Sequence, residues 1–137
     1  MEPRVARPWM LAGVVLILLV GLIHLIDAPD SMSESTTKGL SFYANFIGAI
    51  VAAVGIFLHR TWGWALGILV AAGAFIGDIV SRTVGIFGLP PDVWMEPLGI
   101  ASLVVEALFI VVALRALTGS RQGASPSKDP AAYRASR

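Results

Sequence analysis

The 137-residue sequence contains no cysteine and few charged residues. Without cysteine, disulfide scaffolds, thiolate metal sites, iron–sulfur clusters and thiol redox chemistry are excluded. A quinone-linked disulfide oxidoreductase, which is also small and multi-spanning, is excluded for the same reason. Charged residues make up 14% of the chain, against about 25% in a typical soluble domain. The net charge of +1 gives no electrostatic basis for binding nucleic acid.

Histidine and catalytic motifs are also scarce. The two histidines, His24 and His59, fall at opposite ends of predicted spanning segments and are too far apart to share a haem or a metal ion. A zinc site would need His24 together with loop carboxylates, an arrangement that we disfavour. The sequence contains no P-loop, GxSxG or HExxH motif. We therefore expect no catalytic residues, no metal site and no cofactor.

Apolar residues are what the chain has in abundance: 56% of it is hydrophobic, with a mean hydropathy of +0.78. A membrane-spanning helix needs about 20 mostly apolar residues. Four segments qualify, at residues 8–26, 39–58, 62–83 and 97–117. They predict an all-α membrane protein, an antiparallel four-helix transmembrane bundle over residues 1–118 with the lipid bilayer as its partner. Residues 119–137 are rich in Ser, Gly, Ala and Pro and are predicted to form a disordered cytoplasmic tail.

The first apolar segment has two interpretations, a retained helix or a cleaved signal peptide. Its apolar core, residues 10–26, exceeds the usual 7–15 residues of a signal peptide, and no small-x-small cleavage site follows. We favour the retained helix. The polar stretch IDAPDSMSESTTKG, residues 26–39, is predicted to be an irregular loop or to contain a short turn of helix.

Lysine and arginine positions predict the orientation of the bundle, because cytoplasmic loops carry an excess of both. Eight basic residues fall on one side of the predicted bundle: Arg4, Arg7, Arg60, Arg115, Arg121, Lys128, Arg134 and Arg137. Lys38 and Arg82 fall on the other side, among several acidic residues. The distribution predicts a multi-pass protein of the bacterial inner membrane with both termini in the cytoplasm.

Small residues recur at helical spacing on one face of each predicted helix. The glycines of this face that we expect to mediate helix packing are Gly48, Gly55, Gly63, Gly67 and Gly77. In lipid, helices associate largely through close packing, so small residues gather where two backbones approach. The pattern therefore favours a tightly packed bundle and does not by itself indicate a function.

Five polar residues lie on the same faces, in the outer half of the predicted bundle: His24, Asn45, Asp78, Arg82 and Glu106. A charge near the middle of a membrane costs about 2.5–3.5 kcal/mol on insertion scales, so we expect these side chains to contact one another. We predict that Arg82 anchors an anion and pairs with Glu106 across the interface, and that Asp78 pairs with Arg82 on the same helix and orients it. Asn45 would supply hydrogen bonds, and His24 would control protonation near the outer mouth. Two interpretations stay open, a structural polar network and a binding or proton-handling site.

Three stretches carry a family resemblance: YANFIGAIVAAVGIFL, AFIGDIVSRTVGIFGLP and SLVVEALFIVVALRAL. Together they resemble the small four-helix bacterial membrane proteins of domain-of-unknown-function family 4345, and in outline the wider DoxX-like group. The matching positions are Tyr43, Gly48, Arg82, Gly88, Pro90 and Glu106. The resemblance implies the four-helix fold and singles out Arg82 and Glu106. It implies no substrate, because the family carries no established activity.

The functional expectation is a non-enzymatic binding or accessory component with a polar pocket in the outer half of the bundle. Its partners would be a small polar or amphipathic ligand and a homo-oligomer or larger membrane complex. Two alternatives remain, an oligomeric, proton-coupled transporter subunit and a membrane redox or lipid-modifying subunit.

Overall fold

The computed structural model describes residues 5–122, which form four α-helices and no strand. The helices are α1 (Arg7–Glu34), α2 (Thr36–Phe57), α3 (Thr61–Thr83) and α4 (Pro97–Gln122). All four are long and apolar enough to cross a membrane. The all-helical class and the four candidate spans predicted from the apolar segments are thus confirmed.

The junction between α1 and α2 differs from the prediction, because residues 27–38 are helical except for Ser35. Helix α1 continues through Pro29, and Ser35, with extended backbone, both ends α1 and caps α2. Proline lacks an N–H and usually breaks a helix. Here Ala28 and Ser31 are buried, and Gly39 of α2 lies so close to α1 that a methyl group would meet Met32. Close packing between the two helices therefore keeps this part of α1 helical.

The connection between α2 and α3 is short, as the sequence predicts. Helix α2 ends at Phe57 and α3 begins at Thr61. His59 adopts a left-handed conformation, with φ of 57°, and the Arg60 amide donates to the Gly55 carbonyl at 2.9 Å. The turn thereby satisfies a carbonyl at the end of α2.

Helix α4 begins at Pro97, a residue suited to a first turn because its missing N–H needs no partner there. The helix extends to Gln122, so residues 119–122, predicted to belong to the disordered tail, are helical. The rest of that predicted tail, residues 123–137, lies outside the described residues.

The helices pack in a closed cycle, in which α1 and α3 each contact both α2 and α4. The buried hydrophobic core includes Trp64 and Phe109, whose rings stack with centroids 6.3 Å apart. Two glycines make room for these rings: Gly13 lies against Trp64, and Gly67 lies against Phe109.

The glycines predicted to mediate packing fall into two groups. Gly55 and Gly63 lie against each other, so that a methyl group on either would meet the other's backbone, and Gly48 lies against Val70. Gly77 is different, because nothing lies within 4 Å of the position that its Cβ would occupy. The predicted packing role is therefore wrong for Gly77, which faces a cavity instead.

Candidate functional site

A cavity of about 590 Å³ lies between the four helices. It is lined by the C-terminal parts of α1 and α3, the N-terminal parts of α2 and α4, and the connection at residues 84–96. Along α3 the lining runs from Leu69 to Arg82, a length of about 20 Å at the helical rise of 1.5 Å per residue. Its volume falls in the range of small-molecule sites, about 300–1,000 Å³.

Eight ionisable side chains besides histidine line this cavity, six of them carboxylates and two of them cations. They are Asp27, Asp30, Glu34, Lys38, Asp78, Arg82, Asp92 and Glu96. Of the five predicted polar site residues, the cavity is lined by His24, Asn45, Asp78 and Arg82. The structure therefore brings these four together around one space.

Arg82 is held between two carboxylates. Its guanidinium Nη1 lies 3.6 Å from the Asp78 carboxylate and donates to the Asp78 carbonyl at 3.1 Å, while Nη2 lies 3.7 Å from the Glu96 carboxylate. The side chain is buried, and it passes so close to Gly99 that a methyl group there would collide with it. The predicted pairing of Arg82 with Asp78 is present.

The predicted pairing of Arg82 with Glu106 is wrong: the ion pairs of Arg82 within the described residues are with Asp78 and Glu96. Arg82 lies beside Gly99, in the first turn of α4. Glu106 is seven residues further along that helix, about 10 Å deeper at 1.5 Å per residue. Glu96, at the end of the preceding connection, takes the place that we had assigned to Glu106.

Glu106 lies behind the cavity wall, since the side chain is fully buried and is not among the lining residues. The Ser102 hydroxyl donates to Oε1 at 2.7 Å, and Nε2 of His24 lies 3.8 Å from the same oxygen. The second oxygen, Oε2, has no hydrogen-bond partner. Ser102 and His24 do line the cavity, so they separate Glu106 from it.

His24 lies deeper than predicted and cannot act at the outer mouth. Ten residues of α1 follow it, about 15 Å of helix, because α1 extends to Glu34. Nδ1 lies 2.9 Å from the Val20 carbonyl, and since a carbonyl only accepts, this nitrogen carries the proton. The ring also packs on Phe42, with centroids 4.9 Å apart. His24 is thus a buried residue of the cavity wall with Nε2 directed toward Glu106.

Asn45 joins α2 to α3. Its side-chain nitrogen donates to the Val70 carbonyl at 3.3 Å, so it does supply a hydrogen bond, to backbone. Its oxygen Oδ1 is buried without a partner. A buried acceptor that lacks a donor is unfavourable. This oxygen is therefore a candidate acceptor for a hydrogen bond from a group outside the described side chains.

Lys38 is the main site residue that sequence reasoning missed. It was placed in an irregular loop, but it lies in the first turn of α2 and is 8% exposed. Its Nζ lies 2.5 Å from the Glu34 carboxylate and 3.3 Å from the Asp92 carboxylate. Its ion pair with Glu34 joins the end of α1 to the start of α2 across Ser35, so no periodic signal within one helix could have found it.

Ion pairs and hydrogen bonds, rather than a nucleophile activated by a base, dominate the chemistry of this cavity. Within residues 5–122, no group of three or more His, Asp or Glu residues could hold a metal ion. No family model, no curated protein and no solved structure matches the chain. The resemblance to family 4345 therefore stays a prediction, and the functional argument depends on the geometry of the cavity.

Proposed function

We propose that this protein is a non-enzymatic binding or accessory component of the bacterial inner membrane, whose cavity takes a small polar or amphipathic ligand. The observation that carries the proposal is the cavity of about 590 Å³, charged toward one end and enclosed by four helices able to span a membrane. Intramembrane ionisable residues generally mark functional sites because they are costly to keep there.

We further propose an antiparallel bundle with both termini in the cytoplasm. The excess of lysine and arginine at one side of the predicted spans supports this orientation. The lining of the cavity supports the antiparallel order, because it joins the C-terminal parts of α1 and α3 to the N-terminal parts of α2 and α4. The charged end of the cavity would then lie on the side of the membrane away from the cytoplasm.

Packing argues against transport through a single bundle. Beyond the cavity the interior is filled by fully buried side chains, among them Ile17, Ile56, Trp64 and Phe109. Protein interiors of this kind are close-packed and offer no continuous path to the opposite end. A transporter would need a second copy or another subunit, whereas a binding protein needs only the cavity that is there.

The proposal is tested by identifying small molecules that purify with the protein. The chain is extracted from its native membrane into polymer-bounded lipid discs, and the organic extract is analysed by mass spectrometry. The Gly77→Leu variant places a side chain into the cavity at a position where a Cβ has open space, so it should fold and exclude the ligand. Gly119→Leu is the matched control, because Gly119 also has open space around it and does not line the cavity.

We expect at least one compound to be enriched with wild type and with Gly119→Leu and to be lost from Gly77→Leu. If all three proteins carry the same compounds in the same amounts, the cavity binds nothing in its native membrane. The ion pairs would then be a purely structural network.

A further inference from the structure

We propose that the ligand of this cavity is an amphipathic organic cation, a protonated amine on a hydrocarbon chain, that enters from the bilayer between α2 and α3. This inference rests on the proposed binding function and names its ligand class. Three observations carry it: the charge balance of the cavity, the confinement of its charged residues to one end, and the exposure of the wall formed by α2 and α3.

The first observation is that the carboxylates of the cavity outnumber its cations. Lys38 and Arg82 are each shared between two carboxylates. Two further lining carboxylates, Asp27 and Asp30, have no ion pair within the described part of the chain. Asp27 is half-buried and Asp30 is exposed, so both carboxylates are within reach of a ligand in the cavity. A positively charged ligand group would complement them, and an anionic group would meet a surplus of like charge.

The second observation is that the charged lining residues are separated from a deep part of the cavity that is lined by uncharged residues. On α3, the lining begins with Leu69 and Val70, continues through glycine and alanine, and reaches the first charged residue at Asp78. On α1 the order is the same, with Ile23 deeper than Asp27. A ligand with a hydrocarbon chain at the deep end and a charged head at the other end matches this separation.

The third observation is that α2 and α3 separate along the cavity. The two helices touch closely where Gly55 meets Gly63. Nearer the charged end, nothing lies within 4 Å of a Cβ built on Gly73, and this glycine and Ala44 of α2 are exposed lining residues. Leu69 also lines the cavity and is 70% exposed.

The other two helices close their side of the cavity. The lining residues His24 of α1 and Ser102 of α4 are both buried. The open side is therefore the one between α2 and α3. Since these helices have the length and composition to span a membrane, that opening faces hydrocarbon, and a chain dissolved in the bilayer can reach the cavity sideways.

The test measures binding of two amphiphiles of equal chain length and opposite charge. Dodecylamine and dodecanoate are added to detergent-solubilised protein at pH 7, where an alkyl amine is protonated because its pKa lies near that of lysine, about 10.4. Bound adducts are counted by native mass spectrometry. Ethylamine, which has the same head and almost no chain, measures how much the hydrocarbon contributes.

Two variants locate the binding. Gly73→Leu fills the opening between α2 and α3, and Gly119→Leu is its matched control. The double variant Asp27→Asn with Asp30→Asn removes the two unpaired charges and keeps the size of the side chains. Circular dichroism and the melting temperature establish that each variant is folded.

We expect dodecylamine to bind wild type and Gly119→Leu at least about tenfold more tightly than dodecanoate or ethylamine, the equivalent of one ion pair or of several methylene groups. Gly73→Leu should abolish this binding, and the double Asn variant should weaken it about tenfold. If wild type binds dodecanoate and Gly73→Leu removes that binding, the proposal of a cationic ligand is overturned. The proposal that the cavity binds a ligand is then supported. If neither amphiphile binds wild type, the inference fails, and the extraction experiment described above decides separately whether the cavity binds anything.

Discussion

At the scale of single residues, two glycines on α3 have opposite surroundings. Gly63 lies against the backbone of α2 at Gly55, whereas Gly77 faces the cavity with nothing within 4 Å of a Cβ. The same helical pattern predicted a packing role for both. Their surroundings differ because α2 and α3 diverge from the short turn that joins them toward the cavity.

We therefore expect Gly63→Ala to lower the free energy of unfolding by about 1–3 kcal/mol, the usual cost of forcing a methyl group into a packed interface. Gly77→Ala should change it by no more than about 0.5 kcal/mol. Unfolding of both variants in detergent, followed by circular dichroism, measures the difference. Equal losses of stability would show that α2 and α3 do not diverge as described.

Two substitutions of Glu106 give a second comparison of stability at the scale of single residues. Its Oε1 accepts from the Ser102 hydroxyl in a fully buried position. Glu106→Ala leaves that hydroxyl without its acceptor and removes buried side-chain volume, so we expect a loss of about 2–5 kcal/mol. Glu106→Gln keeps an acceptor oxygen of nearly the same size and should cost less than half as much.

Melting temperatures of the two Glu106 variants distinguish a hydrogen-bonding role from a role of the charge. If Gln is as damaging as Ala, the negative charge itself stabilises the bundle, with His24 at 3.8 Å as its partner. Ser102→Ala is the control, because it removes only the donor of this hydrogen bond.

Which side-chain contacts could be predicted depended on how far apart the partners are in sequence. Asp78 and Arg82 are four residues apart on one helix, so their contact follows from helical geometry. The partner of Arg82 on α4 was predicted wrongly, because apolar sequence does not fix the relative depth of two helices. Glu96, the actual partner, precedes α4 and carried no periodic signal.

At the scale of secondary-structure elements, the connection between α3 and α4 is attached to the bundle through its second half. Asp92 pairs with Lys38 at 3.3 Å, and its amide donates to the Ser81 carbonyl at 2.9 Å. Glu96 pairs with Arg82. Between these contacts, Val93 and Met95 are exposed, at 71% and 83%. The connection thus lines part of the cavity with both polar and apolar side chains, Asp92 and Glu96 together with Ile86, Phe87 and Val93.

We expect Asp92→Asn to loosen this connection, because it removes the charge that attaches residues 84–96 to α2. Amide hydrogen exchange in that segment should become several-fold faster, while exchange within α1 to α4 stays unchanged. Asp30→Asn is the matched control, since it removes a carboxylate that lines the same cavity without an ion pair. Unchanged exchange in the Asp92 variant would mean that the amide contact with Ser81 and the Glu96–Arg82 ion pair hold the connection without the Asp92 charge.

The helices themselves were the most predictable elements, and their ends the least. Helix α3 was predicted within one residue, because its apolar run is bounded by the short turn at His59 and by polar residues after Arg82. The predicted α1 ended too early, at residue 26, because Pro29 and the polar residues after it resemble a loop. Packing against α2, where Met32 lies against Gly39, outweighs that local tendency.

At the scale of the whole molecule, apolar length was sufficient to predict four helices, and small-residue faces were sufficient to predict that they pack together. A polar pocket between the helices was predicted from the polar residues on these faces, but the volume of the cavity and its opening could not be. Both depend on how far α2 and α3 diverge, and the same faces of glycine and alanine would suit helices in contact along their whole length.

The orientation of the bundle in the membrane can be tested because the chain has no cysteine, so one substitution creates a single thiol. Thr37, at the start of α2, and Leu58, in the turn before α3, are both exposed and lie at opposite ends of one span. If both termini are cytoplasmic, a membrane-impermeant maleimide should label Thr37→Cys in intact spheroplasts. It should label Leu58→Cys only after the membrane has been permeabilised. The reverse pattern would place the termini outside, and the charged end of the cavity would then face the cytoplasm. Labelling of both sites in intact spheroplasts would mean that α2 does not cross the membrane.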